Sequence, residues 1–259
     1  MKLAVLLMVM DVVARAQEGA SSFLDATLWV QTSVEYRAVA KQTYRAAGAN
    51  LVRAVRDPRW TAALEQEGTD TSALPPAVVL DLDETVLDNS VYQARLIAAG
   101  KTFSDETWQA WVKEARAGSV PGAVEFLKMA AALGVEAVFI TNRVCDAGNA
   151  EDPTVRVLRA HGVPFQPTNL MCKQGVSEKS ARRQTAAAKY HLMMLFGDDF
   201  RDFVSLPKER DTLAGRLEAA ESRDFWLGER WFMLPNPMYG SWETTLSRSG
   251  QAKSEFLRR

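Results

Sequence analysis

The sequence predicts an α/β fold, in which a doubly wound, Rossmann-like parallel sheet carries helices on both faces. Short, dense apolar runs recur along the chain, and such runs are typical of strands that are buried on both faces of a parallel sheet. Segments with a helical apolar pattern separate these runs, and strands that alternate with helices form doubly wound sheets. Such sheets bind ligands at the carboxyl ends of their strands, so the residues that follow each run are the functional candidates.

The predicted elements begin with helices over most of 20–67, where Leu24, Leu28 and Trp29 start a helical apolar pattern. A turn-rich linker then ends at Pro75-Pro76 and leads into the first apolar run. Strands are predicted over 77–80, 135–141, 170–172, 192–197 and 231–234. The alternation predicts a parallel sheet of these five strands.

Two of the intervening helices have recognisable ends. Pro121-Gly122 opens one helix, and Gly134 stands where a C-terminal cap belongs. Another helix is predicted from about Glu178 to Tyr190, with Ser177 as its N-cap. These helices connect consecutive strands, as a doubly wound sheet requires.

The composition of the 259-residue chain excludes several kinds of partner and catalytic site. Hydrophobic residues make up 47% and charged residues 24%, which are the proportions of a globular protein. The formal net charge of −1 argues against a nucleic acid polymer as the main partner, because phosphate backbones are bound by concentrated basic surfaces. With two His and two Cys, the chain cannot assemble a Cys₄ or His₃ zinc site. A Ser-His-Asp triad would need His161 or His191.

The first 16 residues have the pattern of a secretory signal peptide. Lys2 gives a positive start, an apolar run covers 3–10, and Ala14-Arg15-Ala16 provides a small-x-small cleavage pattern. Asp11 interrupts the apolar core, so an ordinary buried helix or a misassigned start codon stays an alternative. The prediction is a mature domain over 17–259 that is periplasmic or secreted. We expect no stable membrane anchor, because no Cys follows the cleavage pattern and no other apolar run approaches roughly 18 residues.

Acidic residues follow two of the predicted strands. The first strand leads into Asp81-Leu82-Asp83-Glu84-Thr85, and the fourth leads into Asp198-Asp199-Phe200-Arg201-Asp202. Crowded carboxylates repel one another, which costs stability unless a cation or a functional need offsets the repulsion. One such cluster alone is explained as well by Asp residues that cap a turn or helix. Two clusters at strand ends favour a functional site.

Two further features are typical of an anion site. Thr141-Asn142 ends the second strand, where a hydroxyl and free backbone N–H groups suit an oxyanion or phosphate. The same pair is also a common turn signal. Lys179 lies in the first turn of a predicted helix, where the helix dipole disfavours a cation. A nearby anion would explain this Lys, and a solvated Lys is the alternative.

These elements, in this order, resemble the haloacid dehalogenase superfamily. The run VLDLDETVLDN over 79–89, followed by Tyr92, is similar to the first signature of the bacterial class C acid phosphatases, a family that includes lipoproteins acting as 5′-nucleotidases. The second signature fits at Gly197, Asp198, Asp202 and Phe203. Asp199 stands where Asn or Thr is usual, and this extra carboxylate either alters metal affinity or faces away.

The resemblance implies a metal-dependent acid phosphatase that hydrolyses phosphate monoesters, with nucleoside 5′-monophosphates as the expected substrates. Asp81 would attack phosphorus and form an aspartyl-phosphate, and Asp83 would act as general acid and then as general base. One Mg²⁺ per chain would bind the Asp81 carboxylate, the Asp83 backbone carbonyl and Asp198. Asp202 would orient this metal site.

The resemblance also assigns the residues that would hold the substrate. Thr141 and the Asn142 backbone would bind phosphate oxygens, whose charge Lys179 would neutralise. Residues 84–134 would contribute a small, mostly helical cap to a single domain. Four aromatic residues are candidates for stacking on a nucleobase or nicotinamide, although core packing is favoured for each ring taken separately: Tyr92, Trp108, Trp111 and Tyr239.

Several alternatives stay open at this point. The protein would otherwise be a phosphatase for other small phosphate esters, such as sugar phosphates, or a non-catalytic periplasmic protein that binds phosphorylated ligands. The resemblance is compatible with a homodimer. Cys145 and Cys172 follow strands that are neighbours in the usual order of this fold, but we favour free thiols, because one residue of slip would turn a thiol to the other face.

Overall fold

A five-stranded parallel sheet organises the protein, in the spatial order β5-β4-β1-β6-β7. The computed structural model describes residues 23–247 and 251–258, so the predicted signal peptide over 1–16 lies outside the described residues. The strands are β1 (Pro76–Leu80), β4 (Glu136–Ile140), β5 (Leu170–Met171), β6 (His191–Gly197) and β7 (Trp231–Met233). A separate antiparallel pair consists of β2 (Leu87–Asp88) and β3 (Gly118–Ser119). The predicted fold class is confirmed, and each predicted strand is present.

The central strands are buried on both faces, which explains why their sequences are continuously apolar. Every residue of β6 is buried, and so are the last four residues of β1. Along β1, Val78 and Leu80 join one apolar cluster, whereas Ala77 and Val79 join another on the opposite face. The sheet therefore has a hydrophobic core on each side.

Helices cover both faces of the sheet. Their bounds are α1 (23–32 within the described residues), α2 (Val34–Ala54), α3 (Ser90–Ala98), α4 (Asp105–Glu114), α5 (Ala123–Ala132), α6 (Pro153–Ala160), α7 (Ser180–Ala187), α8 (Leu213–Glu221) and α9 (Ser241–Ser247). Short 3₁₀ turns occur at Leu64–Gln66, Pro167–Asn169, Phe200–Asp202, Asp224–Trp226 and Lys253–Phe256. On one face, Tyr44 of α2 stacks on Phe196 of β6, with ring centroids 5.6 Å apart. On the other face, Ala186 of α7 packs in a cluster with Trp231. None of the described helices has the length and apolar character that a membrane crossing requires.

Two predicted helices differ from the observed ones. The segment predicted as helical over 20–67 is broken at Ser33, whose hydroxyl accepts a hydrogen bond from the Tyr36 backbone and so caps a new helix. The helix predicted to start at Glu178 starts instead at Ser180, with Lys179 at the N-cap position. The predicted cap Ser177 is not used, because the Glu178 carboxylate accepts hydrogen bonds from the Ser180 backbone and hydroxyl. In contrast, α5 begins after Gly122 and ends before Gly134, as the sequence predicts.

The segment over 84–134 divides into two parts. Helices α3 and α4, together with β2 and β3, stand at the carboxyl edge of the sheet and form the cap. Helix α5 belongs to the helical layer of the sheet instead, where Phe126 packs against Phe196 at 4.8 Å between ring centroids. The cap is therefore smaller than the whole segment.

A disulfide joins Cys145 and Cys172, so the expectation of free thiols is wrong. Strands β4 and β5 pair in parallel with Ile140 opposite Met171, which places both cysteines just beyond neighbouring strand ends. The two Cα atoms lie 5.5 Å apart, and the Lys173 N–H donates to the Arg143 carbonyl at 2.9 Å beside them. The disulfide thus links the loop after β4 to the loop after β5.

Candidate active site

Three aspartates from two strand ends form a compact cluster at the carboxyl edge of the sheet. Asp81 follows β1 and Asp198 follows β6, and the Asp81 N–H donates to the Phe196 carbonyl at 3.0 Å, which fixes the two ends side by side. Asp202 completes the cluster, and one carboxylate oxygen from each of the three lies within 4.8 Å of the others. Gly197 permits this packing, because a Cβ there would lie 2.2 Å from an Asp202 carboxylate oxygen.

Lys179 supplies the positive charge within this cluster. Its Nζ donates to Asp81 Oδ1 at 2.5 Å and to Asp202 Oδ1 at 2.6 Å, and the side chain is only 7% exposed. Burial alone would lower the pKa of Lys179, but the charges of Asp202 and Asp81 raise it above its ordinary value. Lys179 is therefore a fixed ammonium ion at the cluster rather than a solvated surface Lys.

One ammonium does not balance the buried carboxylates. Burial raises the pKa of Asp81 from 3.8 to about 7; Lys179 opposes this shift, while Asp202 and Asp83 add to it. Burial is also the main cause of the raised pKa values of Asp198 and Asp202. Such shifts show that the cluster lacks positive charge when it holds only Lys179. A divalent cation fits this donor set, because hard oxygen ligands are what Mg²⁺ prefers.

The hydrogen bonds indicate which carboxylates have room for a cation. Both oxygens of Asp202 are engaged, one by Lys179 and the other by the Asp199 backbone N–H at 3.1 Å. Within the described residues, Asp81 accepts a hydrogen bond on one oxygen only, from Lys179. Asp198 accepts a close bond from Asn236 at 2.8 Å on one oxygen and a long bond from Thr85 at 3.4 Å on the other. Asp81 and Asp198 are therefore suited to bind a metal ion, whereas Asp202 is suited to hold Lys179.

Asp83 lies in the same loop as Asp81 but its side chain has different partners. The guanidinium of Arg143, which is 1% exposed, donates to Asp83 through Nη2 at 2.7 Å and through Nε at 2.9 Å. Asn89 donates to the same carboxylate at 2.9 Å. Asp83 remains 18% exposed and lines the cleft above the cluster. Its carboxylate therefore faces the space that a substrate would occupy.

The loop after β4 is held by a second arginine. Arg182 donates to the Thr141 carbonyl at 2.5 Å and to the Asn142 side-chain oxygen at 2.8 Å. Asn142 is exposed and lines the cleft. Thr141 is fully buried and its hydroxyl accepts a hydrogen bond from the Arg143 N–H at 3.1 Å. Asn142 thus lines the cleft, whereas Thr141 is buried and does not line it.

A segment that we call the C-terminal strap, residues 235–241, contacts both acidic loops. Asn236 donates to Asp198 Oδ2 at 2.8 Å, and the Tyr239 hydroxyl donates to the buried Glu84 carboxylate. Ser241 donates to Asp199 through both its backbone N–H and its hydroxyl. These bonds occupy Asp199, which lies outside the three-aspartate cluster. The extra carboxylate at 199 therefore anchors the strap.

The cleft over the cluster has a volume of about 1390 Å³, and the cap forms one of its walls. Three of the four aromatic residues that the sequence indicates line it: Tyr92, Trp108 and Tyr239. Trp111 is 3% exposed and does not line the cleft. Its indole N–H donates to Asn89 at 2.8 Å, so this ring packs within the cap. Phe103, which the sequence analysis does not single out, lines the cleft and is 60% exposed.

Neither histidine belongs to this site. A ring nitrogen of His161 bonds to the Ala117 carbonyl at 2.8 Å, and one of His191 bonds to the Trp60 carbonyl. His191 also begins β6, at the edge of the sheet opposite the aspartates. A Ser-His-Asp triad is therefore excluded for this cleft.

Four residues of the site have no role in the sequence analysis: Glu84, Arg143, Arg182 and Asn236. A signal for Arg143 was present, because a loop rich in carboxylates needs cations, and Arg143 directly follows Thr141-Asn142 at a strand end. Asn236 lies in a stretch, 235–240, that also resembles the family, but its partner Asp198 is 38 residues away and could not be predicted from local spacing.

Comparisons with known proteins agree with this geometry. The family model described as HAD superfamily, subfamily IIIB (acid phosphatase), matches residues 6–242. A crystal structure of a class C acid phosphatase from Bacillus anthracis with tungstate bound has 29% sequence identity and a TM-score of 0.78, covering 93% of this chain and 98% of that chain. Another structure of the class C acid phosphatase from Bacillus anthracis has 30% identity and a TM-score of 0.76, with the same coverage of both chains.

Proposed function

The chain belongs to the acid phosphatases of the HAD superfamily, subfamily IIIB, and is therefore a phosphoric monoester hydrolase. From this premise we propose that its substrates are nucleoside 5′-monophosphates and that it hydrolyses them through an aspartyl-phosphate on Asp81. The observation that carries this proposal is the buried contact of Asp81 with Lys179 beside Asp198, under a cleft that Asp83 lines. The family match also decides against the alternative of a non-catalytic binding protein.

The residues of the cluster would bind the cation and the phosphate group. Asp81 and Asp198, with the Asp83 backbone carbonyl, would hold Mg²⁺. When bound, this ion screens the negative charge of the nucleophile from that of the phosphate. Lys179 neutralises phosphate oxygens and keeps Asp81 in place, since its Nζ already contacts that carboxylate at 2.5 Å. The Asn142 backbone and Thr141 would complete the phosphate pocket. Tungstate, which is bound in the Bacillus anthracis structure, is a tetrahedral oxyanion like phosphate.

The two aspartates of the first loop have separate tasks. Asp81 attacks phosphorus, while Asp83 donates a proton to the leaving alcohol. Asp83 then takes a proton from the water that hydrolyses the aspartyl-phosphate. Their different partners support this division, because Lys179 holds Asp81 within the cluster and Arg143 holds Asp83 at the cleft.

The metal requirement is tested with p-nitrophenyl phosphate. We expect exhaustive treatment with EDTA to abolish release of p-nitrophenol, and added Mg²⁺ to restore it. Binding of a metal ion is measured independently as the change in melting temperature when Mg²⁺ is added to the chelated protein. Full turnover in metal-free protein contradicts the proposal.

The aromatic residues that line the cleft support a nucleoside as the leaving group, because its base can stack on them. Trp108 and Tyr239 line the cleft beside the acidic cluster and are partly exposed, whereas Tyr92 is only 3% exposed. Aromatic rings stack on bases. We expect Trp108→Leu to raise KM for a nucleoside 5′-monophosphate and to leave KM for a hexose phosphate unchanged. Phe225→Leu is the control, because this aromatic ring is 63% exposed and does not line the cleft. Equal effects of Trp108→Leu on both substrates would favour small phosphate esters in general.

We also propose that the protein is exported to the periplasm. The disulfide between Cys145 and Cys172 supports this location, since disulfides persist in oxidising compartments. N-terminal sequencing of protein released by osmotic shock is expected to begin at Gln17. Thiol titration of that material, denatured without reductant, is expected to find no free thiol. Two free thiols in periplasmic material contradict the role of the disulfide in this argument.

A further inference from the structure

We propose that Arg143 is a positioning residue that determines which oxygen of Asp83 carries the proton for the leaving group. The proposal rests on the proposed function, because it assigns a task within the acid and base steps of Asp83. It adds a residue and an atom to that mechanism: Arg143 saturates Oδ1 of Asp83, and the proton resides on Oδ2.

The two oxygens of Asp83 differ in their hydrogen bonds. Oδ1 accepts three, from Arg143 Nη2 at 2.7 Å, from Arg143 Nε at 2.9 Å and from Asn89 Nδ2 at 2.9 Å. Oδ2 has a single, longer contact with Arg143 Nε at 3.2 Å. A carboxyl oxygen has two lone pairs, so three donors leave Oδ1 no capacity to carry a hydrogen. When Asp83 is protonated, the proton is therefore on Oδ2.

Arg143 is itself fixed and cannot turn towards a substrate. Its side chain is 1% exposed and does not line the cleft. Its Nη2 also donates to Asn89 Oδ1 at 3.2 Å, and its guanidinium lies 5.6 Å from the ring centroid of Trp108. Asn89 is held in turn, because the Glu84 carboxylate accepts from its backbone N–H at 2.8 Å. Arg143 therefore acts on the reaction only through Asp83.

The arrangement suits both proton transfers. When the Asp81 carboxylate forms a bond to phosphorus, the bond from phosphorus to the leaving oxygen breaks, and its electron pair stays on that oxygen. The proton on Asp83 Oδ2 moves to this oxygen, which leaves Asp83 as a carboxylate paired with Arg143. Charge-assisted bonds of this kind stabilise the carboxylate that has formed. A water proton later returns to Oδ2 as the water oxygen forms a bond to phosphorus. The bond from phosphorus to the Asp81 oxygen then breaks, and its electron pair stays on Asp81 as the carboxylate.

The test compares substrates that differ in their need for a proton. A nucleoside or alkyl phosphate has a poor leaving group that must be protonated, whereas p-nitrophenolate leaves as a stable anion. Arg143→Lys keeps a positive charge but loses the planar fork that engages one oxygen twice. We expect kcat/KM for the alkyl phosphate to fall on the order of 100-fold, as for loss of a general acid, and kcat/KM for p-nitrophenyl phosphate to fall far less.

Arg182→Lys is the matched control. Arg182 is also buried and also holds the loop after β4, but its contacts are to Thr141 and Asn142 and not to Asp83. We expect this variant to lower kcat/KM for both substrates by the same factor. If Arg143→Lys also affects both substrates equally, or neither, the positioning role is overturned.

Two further variants test the role of Arg143 without relying on the Arg143→Lys variant alone. Asn89→Ser removes the third donor to Oδ1 and one acceptor of Arg143, but it keeps both members of the Arg143–Asp83 ion pair. It is expected to give a smaller loss with the same dependence on leaving group. It replaces Arg143→Lys if that variant does not fold, as judged by its melting temperature.

Asp83→Asn must show the leaving-group dependence itself, and adding Arg143→Lys to it must cause no further loss. An active Asp81→Asn variant would refute the proposed function; selectivity in Asp83→Asn but not in the Arg143 and Asn89 variants would refute the positioning role alone.

Discussion

The first acidic loop (81–85) and the second acidic loop (198–202) look alike in sequence but differ in how their carboxylates are held. Each loop contributes to the three-aspartate cluster, through Asp81 in the first and through Asp198 and Asp202 in the second. Each also has an aspartate outside the cluster. Asp83 is held by Arg143 and lines the cleft, whereas Asp199 is held by Ser241 and anchors the strap. Fixed donors, rather than position in the motif, decide what each carboxylate can do.

The difference between the two acidic loops shows which carboxylates are paired with fixed donors and which are not. Fixed donors form hydrogen bonds to Asp83 and Asp199. Asp81 and Asp198 are buried and their pKa values are raised, so each is stabilised by a bound cation or by a proton. In the proposed chemistry, Asp81 and Asp198 bind the cation, whereas Asp83, which Arg143 holds, carries out the proton transfers. Substitutions in the two loops are therefore expected to have very different effects.

The largest effect is expected from the pair Asp81→Asn and Asp83→Asn. Asp81→Asn is expected to remove essentially all turnover, because an amide is a poor nucleophile. Asp83→Asn is expected to lower kcat/KM for an alkyl phosphate about 100- to 10,000-fold while phosphate still binds. Rates with both variants, and the melting-temperature shift on adding inorganic phosphate and Mg²⁺, measure this difference. Near wild-type turnover of Asp81→Asn contradicts the covalent mechanism.

The next effect concerns the metal ion in the second loop. Asn236→Ala removes the donor that holds Asp198 Oδ2, and it is expected to weaken metal binding by about 10- to 100-fold. Asp198→Asn is expected to weaken it further, because a ligand charge is lost. The Mg²⁺ concentration that gives half-maximal activity, together with the melting-temperature shift on adding Mg²⁺, measures both variants. Unchanged Mg²⁺ dependence of Asp198→Asn would exclude this residue as a ligand.

A moderate effect is expected on stability in the absence of metal. Burial raises the pKa of Asp81 from 3.8 to about 7, so between these pH values the folded protein holds a proton that the unfolded chain has released. The free energy of unfolding contributed by Asp81 therefore falls as pH rises from about 4 to about 7. With EDTA present, the melting temperature of the wild type is expected to fall across this range relative to that of Asp81→Asn.

Saturating Mg²⁺ is the control for this measurement, because the cation takes the place of the proton and should reduce the decline. If the chelated wild type gains stability relative to Asp81→Asn between pH 4 and pH 7, the assigned direction of the Asp81 shift is wrong.

The smallest effect is expected for Asp199→Asn. An amide keeps one acceptor oxygen for Ser241 but loses the charge, so we expect a loss of about 1 kcal/mol in stability. Turnover and Mg²⁺ dependence are expected to stay within a few-fold of the wild type. Urea unfolding and a Mg²⁺ titration check this, with Ser241→Ala as the partner variant. A large change in Mg²⁺ dependence would mean that Asp199 contributes to metal binding.

The sequence was sufficient to predict the sheet and the acidic edge because both depend on local patterns. Buried parallel strands are continuously apolar, and the residues after them lie at one edge. Sequence could not distinguish Trp108 from Trp111, which are three residues apart on α4: one ring lines the cleft and the other packs in the cap. It also could not supply the register of β5 against β4, which decides that Cys145 meets Cys172.

The side chains that form hydrogen bonds to the carboxylates of the site were less predictable than the aspartates themselves. Arg143 and Asp83 are 60 residues apart, and Tyr239 and Glu84 are 155 residues apart. Such pairings depend on how the cap and the strap dock on the sheet, and no spacing within either segment encodes them. The helix predicted from about Glu178 begins two residues later, at Ser180, for a local reason: the Glu178 carboxylate accepts hydrogen bonds from the Ser180 N–H and hydroxyl.

The strap also determines when, during synthesis, the site becomes complete. Asp81 and Asp83 are made early, but the strap that fixes Glu84, Asp198 and Asp199 ends at residue 241 of 259. These contacts can form only after residue 241 has been made. A nascent chain that ends before residue 235 therefore contains Asp81 and Asp83 but lacks the hydrogen bonds that the strap makes to Glu84, Asp198 and Asp199. Chains truncated before the strap are expected to have less phosphatase activity than the full chain.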